Sequence, residues 1–214
     1  MLEEFANHVN SYDRNDANIE RKYYHSLRVK SLCQLIAKYA GFNDEDANIA
    51  EVVGLLHDYS RFEQWNKYKT FKDHKSFDHG DRAVELLFKA NKIKKYWNKK
   101  EDYDEIYDAI KYHNKLEIPN NLSSHNKLLC KIVRDADKLD IFYLYAVQAL
   151  KFPEEDAEIT PKVKETFYKE RSISKLDEQN ENDHGLLILA LVYDLNFKYS
   201  FDQEETYKNL QKSQ

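Results

Sequence analysis

Four glycines and three prolines in 214 residues leave this chain almost without turn formers. An all-β fold needs a tight turn every few residues, so that class is excluded. Acidic residues ahead of apolar runs, as in Asp44-Glu45-Asp46, and abundant Lys, Glu and Leu predict helices instead. The length suits one domain with a sizeable core, so a single all-α domain over residues 1–214 is expected.

The apolar periodicity supports this. Leu2 to Val9 predicts a short helix, followed by a polar break at Ser11 to Asp16. Tyr24, Leu27, Val29, Leu32, Leu35, Ile36 and Tyr39 then recur at helical spacing until Gly41. A third helix starts near Asn43 or Asp44 and runs through Ala47, Ala50, Val53, Gly54 and Leu56 to the pair His57-Asp58. Residues 61–77 read as a long irregular loop with room for a short helix. Further helices are predicted over 78–90, 101–114 and 126–150, and, after Phe152-Pro153 where the pattern weakens, over 161–169 and 185–195.

A net charge of −5 argues against a nucleic-acid partner, although six lysines crowd the stretch from Lys89 to Lys100. Cys33 and Cys130 both fall in apolar helical stretches, so no disulfide framework is implied. The amino terminus lacks a basic region followed by an apolar one, and no apolar run approaches the roughly 20 residues that span a bilayer. A soluble, cytoplasmic chain is the expectation; the oligomeric state is open.

Within this helical frame six residues stand out: His25, His57, Asp58, His79, His113 and Asp137. Each falls at the end or on the inner face of a predicted helix, so a bundle would aim them at one centre. A single such histidine is ordinarily a satisfied core residue. Four of them with two acids are harder to explain that way, because a buried carboxylate needs cations close by. Imidazole and carboxylate together suit a divalent metal that keeps positions open for water and substrate.

The order of these residues resembles the HD-domain metal-dependent phosphohydrolase superfamily over roughly residues 20–145. The matching segments are Tyr24-His25-Ser26-Leu27-Arg28-Val29, Leu55-Leu56-His57-Asp58-Tyr59-Ser60-Arg61-Phe62-Glu63, Asp78-His79-Gly80, Ile110-Lys111-Tyr112-His113-Asn114 and Ala136-Asp137-Lys138-Leu139-Asp140. The resemblance implies a primary metal site of His25, His57, Asp58 and Asp137, with Asp135 the alternative to Asp137. It further implies that His79 and His113 either bind a second metal, with Asp58 bridging, or line the substrate pocket as catalytic groups. Many relatives carry Gly where this chain has Ser60, a mild change in the expected turn.

The activity implied is hydrolysis of a small phosphorylated compound such as a nucleotide, by water activated on one or two ions of Mn, Fe, Co, Ni, Zn or Mg. Arg61, Lys75 and Lys111 are candidate phosphate clamps, Arg61 foremost because its fork matches phosphate oxygens. Glu63 is a candidate to orient Arg61 or a water. Trp65, Tyr68 and Phe71 form either a wall for a base or the loop's own anchor. His74 borders the expected pocket, whereas His8, His125 and His184 receive no functional role. Two rivals stand beside the enzyme: a nucleotide or metal sensor that has kept the pocket, and a structural helical adaptor.

Overall fold

The computed structural model describes residues 1–152 and 157–212, so Pro153 lies outside the described residues. The chain is all-α, with no strand among the described residues. They form two compact units, Met1–Ala136 and Asp137–Gln214.

In the first unit, helix α1 spans Leu2–Val9, α2 Ala17–Tyr39, α3 Asp44–Leu56, α4 Arg61–Tyr68, α5 His79–Val84 and α6 Tyr103–Tyr112. Helix α7, Ser124–Ala146, starts in this unit and runs past its boundary. Local chemistry sets the ends. The Asp16 carboxylate accepts from the Asn18 backbone N–H at the start of α2, and Asn43 accepts from Asp46 at the start of α3. Asp44, Glu45 and Asp46 add negative charge where the α3 dipole is positive. Gly41, at φ +85°, makes the turn between the two helices.

Helices α2 and α3 form the most extensive pair. They bury Val29, Cys33, Ile36 and Ala37 on one side and Ala47, Ala50, Val53 and Leu56 on the other. Gly54 makes their contact unusually close. A Cβ there would stand 2.7 Å from Cys33 Sγ and 2.8 Å from the Val29 carbonyl oxygen.

Two of the elements up to Ala146 differ from the sequence expectation, and one fills the room left for a short helix. That helix is α4, at the start of the 61–77 segment; its Arg61, Phe62, Glu63 and Gln64 are buried, so polar residues occupy positions where an apolar face would signal a helix. Helix α5 gives way at Glu85–Lys89 to a π-helical turn, which carries extra residues per turn and rotates those that follow. Helix α7 ends four residues before Leu150, and Gln148 takes a left-handed conformation at φ 57°.

The second unit continues with α8 over Pro161–Tyr168, α9 over Glu181–Ala190 and α10 over Lys198–Lys212. Its core gathers Tyr145, Val163, Ile173, Leu187, Ile188 and Ala190. Helix α9 starts before Gly185 because Asn180 caps it, accepting from the Asp183 backbone N–H. Helix α10 was not expected; its polar sequence has no apolar stripe, and Ser200 and Glu204 are among its buried positions.

Helix α1 closes over the corner between α3 and α4. The His8 ring stacks on Tyr59 with centroids 3.8 Å apart, and its Nε2 lies 3.2 Å from the Tyr59 carbonyl oxygen. Burial lowers the His8 pKa from 6.5 to about 4. Between those values the unfolded chain binds a proton that the folded chain does not, so stability is full above pH 6.5 and declines as pH falls toward 4. His8→Phe keeps the stack and removes the titration. Its unfolding midpoint is expected to fall less steeply than that of wild type over this window, the difference reaching at most about 3 kcal/mol. Parallel stability–pH curves for the two proteins would refute this account of His8.

Candidate metal centre

The buried polar groups of the first unit converge on Asp58. Helix α2 supplies His25, the end of α3 supplies His57 and Asp58, the start of α5 supplies His79, and the end of α6 supplies His113. All five are at most 5 % exposed. Asp58 Oδ2 lies 3.4 Å from His25 Nε2 and 3.6 Å from His57 Nε2. Its other oxygen, Oδ1, lies 3.5 Å from His79 Nε2 and 3.8 Å from His113 Nε2. The carboxylate thus turns one oxygen to each histidine pair.

Backbone proximity makes this possible. His57 follows α3, whose Gly54 lets α2 and its His25 come close; the two Nε2 atoms are 3.3 Å apart. Gly80 does the same between α5 and α6. A Cβ there would meet Asn114 Oδ1 at 2.5 Å and the Lys111 carbonyl oxygen at 2.7 Å, and the adjacent His79 reaches within 3.0 Å of His113, Nε2 to Nε2. Arg134 of α7 donates to the Tyr112 and Leu116 carbonyl oxygens, holding the end of α6 that carries His113.

Three of the rings have their outer nitrogens committed. His57 Nδ1 donates to the Gly54 carbonyl oxygen (2.8 Å), His113 Nδ1 to that of Ile110 (2.6 Å) and His79 Nδ1 to Asp73 Oδ2 (2.6 Å). Burial first, then Arg61, lowers the His79 pKa to about 4, so its ring is neutral. His79 therefore turns a bare Nε2 lone pair inward, and Nε2 is likewise the nitrogen that His57 and His113 present to Asp58. Imidazole nitrogens converging at such short range, joined by a carboxylate, fit a divalent cation, and acceptors behind the rings are what metal-binding histidines use. Within the first unit, two sets among the described residues have the spacing of cation sites: His25, His57 and Asp58, and Asp58, His79 and His113.

Burial works against ionisation of Asp58, yet Lys22, His57 and Arg61 together hold its carboxyl well below the usual range. Lys22 was not foreseen. One turn before His25 on the same face of α2, it places Nζ 2.7 Å from Asp58 Oδ2 and 5.5 Å from the centre of the Phe71 ring. Its position three residues before His25 on a predicted helix was the available signal.

Arg61 is turned toward the protein rather than outward. It is 6 % exposed; Nε lies 3.3 Å from Asp58 Oδ1, and Nη1 donates to Gln64, the Phe71 carbonyl oxygen and Asp73. Glu63 accepts from Arg82 and Lys67, not from Arg61. Lys75 is exposed in the short turn Asp73–Lys75. Lys111 is half-buried, with Nζ 5.5 Å from the ring centres of both Tyr107 and Tyr112.

Trp65 stacks on Phe71 and donates to the Asp16 carboxylate that caps α2, which matches the anchor reading for this pair. Tyr68 is half exposed and meets Phe77 edge-on. His74 is exposed, while His125 and His184 pair with Glu105 and Glu178. Asp135 is fully buried. Asp137, first residue of the second unit, is half-buried on α7.

The HD-domain family profile matches residues 23–141, more than half of the chain. The chain belongs to the HD-domain family. This places it in the metal-dependent phosphohydrolase superfamily, and the match covers all six residues singled out from the sequence. No curated protein and no solved structure matches the chain. No helix among the described residues is long and apolar enough to cross a membrane.

Gly54→Ala and Gly80→Ala are each expected to lower the urea-unfolding free energy of the metal-free protein by about 1–3 kcal/mol, because backbone atoms must move apart to admit the methyl group. Variants as stable as wild type would mean that the helix pairs separate at no cost and that the close approach does not set the ligand spacing.

Proposed function

We propose that this protein is a metal-dependent phosphohydrolase acting on a small phosphorylated compound, a nucleotide or phosphate ester. The observation that carries this reading is the division of Asp58 between two pairs of histidines. On this reading His25, His57 and Asp58, with Asp137 as the last ligand that the family resemblance implies, would hold the first ion, and Asp58, His79 and His113 would hold a second. Mn, Fe, Co, Ni, Zn and Mg are the candidates, since histidine with carboxylate accepts several of them.

A bound divalent ion supplies two things here: it lowers the pKa of water, and it polarises a phosphoryl oxygen. The chain's own residues do the rest. Gly54, Ile110 and Asp73 hold three of the rings by Nδ1, so that Nε2 faces the ion. Lys22, beside Asp58 and against Phe71, is the inner cation for the substrate phosphate. Arg61 serves Asp58 and the loop, a support of the catalytic groups instead of the open clamp expected from its fork. Lys75 and Lys111 are outer contacts for the substrate's remaining charge. The net charge of −5 favours a small substrate over a nucleic acid, in a cytoplasmic setting.

Protein purified without chelator or histidine tag is expected to carry one or two equivalents of a transition metal by elemental analysis. Asp58→Ala should lose that metal, together with more than about a hundredfold of its turnover on a panel of phosphomonoesters, nucleoside triphosphates and cyclic phosphodiesters. Metal uptake with nucleotide binding but no turnover across the panel would favour the sensor. No uptake by either protein after incubation with Mn and Zn would overturn the hydrolase reading.

A further inference from the structure

His79 differs from the other two rings whose outer acceptor is defined. His57 and His113 stand at helix C-termini, where the carbonyl three residues earlier, Gly54 or Ile110, lies beside Nδ1. His79 opens α5, so no preceding helical turn can offer such a carbonyl. Its acceptor comes from the connecting segment instead. Asp73 sits in the short turn Asp73–Lys75, half-buried, and accepts from His79 Nδ1 at 2.6 Å and from Asn114 Nδ2 at 3.2 Å through Oδ2. Through Oδ1 it accepts from Arg61 Nη1 and Gln64 Nε2, each at 3.0 Å.

The same two α4 side chains hold the segment itself. Arg61 Nη1 donates to the Phe71 carbonyl oxygen (2.7 Å), and Gln64 Nε2 donates to Ser76 Oγ (2.7 Å) and the Phe77 carbonyl oxygen (3.2 Å). One carboxylate therefore joins α4, α5 and Asn114, two residues past the end of α6. The set His25–His57–Asp58 is carried by α2 and the end of α3 alone, whereas Asp58–His79–His113 includes a ring whose orientation depends on a loop residue.

We propose that Asp73 is the positioning residue for His79, and that the second metal position is complete only while the 69–77 segment is docked on Arg61 and Gln64. The proposal rests on the reading that Asp58, His79 and His113 hold a cation. An ionised carboxylate can only accept, so it fixes the ring as the Nδ1–H tautomer with Nε2 free, and it strengthens Nε2 as a donor to metal.

The test compares wild type with Asp73→Asn and with Asp73→Ser, which removes the carboxylate without setting an amide against Arg61 and Gln64; either folded variant suffices. Long-range ¹H–¹⁵N spectra of the metal-free proteins read the His79 tautomer, assigned by its loss in His79→Gln. Wild type should show Nδ1–H, and the variants a shift toward Nε2–H. Titration with Mn²⁺ should show the second ion bound roughly ten- to a hundredfold more weakly in the variants, with the first unchanged. Asp73→Glu, which restores the charge, should recover part of that loss. An unchanged tautomer, an unchanged second ion or equal weakening of both ions would overturn the proposal. Should wild type bind a single ion, the two-ion reading fails by itself, and the tautomer alone then decides the role of Asp73.

Discussion

Everything at the centre depends on two places where helices touch backbone to backbone. Gly54 and Gly80 are half of the glycines in the chain; Gly54 lies three residues before His57, and Gly80 follows His79 directly. With no Cβ at those points, α3 closes on α2 and α5 on α6. Imidazole is a short reach from its backbone, so rings on four different helices share one small volume only if their axes are drawn together. Methyl groups at both points would leave the same rings on the same helices but spread them.

The second constraint is charge. Asp58 is almost fully buried, and an isolated carboxylate in that position is costly. Lys22 and Arg61 answer that cost from opposite sides, each through one oxygen. Their exposures differ: Lys22 is partly open at its side chain, and Arg61 is enclosed by Gln64, Asp73 and the Phe71 carbonyl. A partly exposed ammonium on one oxygen and an enclosed guanidinium on the other together keep the carboxylate ionised, and the guanidinium also holds the loop.

Much of this centre was legible in the sequence because its residues are chemically unusual for their places. His57-Asp58 at the end of an apolar run, and histidines at the edges of three other helices, are costly in a core without a shared purpose. The helices carrying them were legible for the complementary reason, their apolar period. Helix α4 was obscured because Arg61, Glu63 and Gln64 take buried positions, which polar residues can do only with partners supplied by distant segments. Asp73 was invisible for the same reason, since its value comes from Arg61, Gln64, His79 and Asn114, which no local pattern links to it. Helix α10 lacks an apolar stripe, and the π-helical turn at Glu85–Lys89 breaks a helix whose composition gives no sign of a break.

The packing of Cys33 against Gly54 has a consequence for thiol chemistry. The sulfur occupies the space that a side chain at position 54 would need, and it is fully buried. A reagent can reach it only when α2 and α3 part, and an adduct would then act as a wedge that stops them from closing again. Alkylation of this thiol is therefore a clock for the opening of the helix pair that carries His25 and His57, written into the protein without any added label.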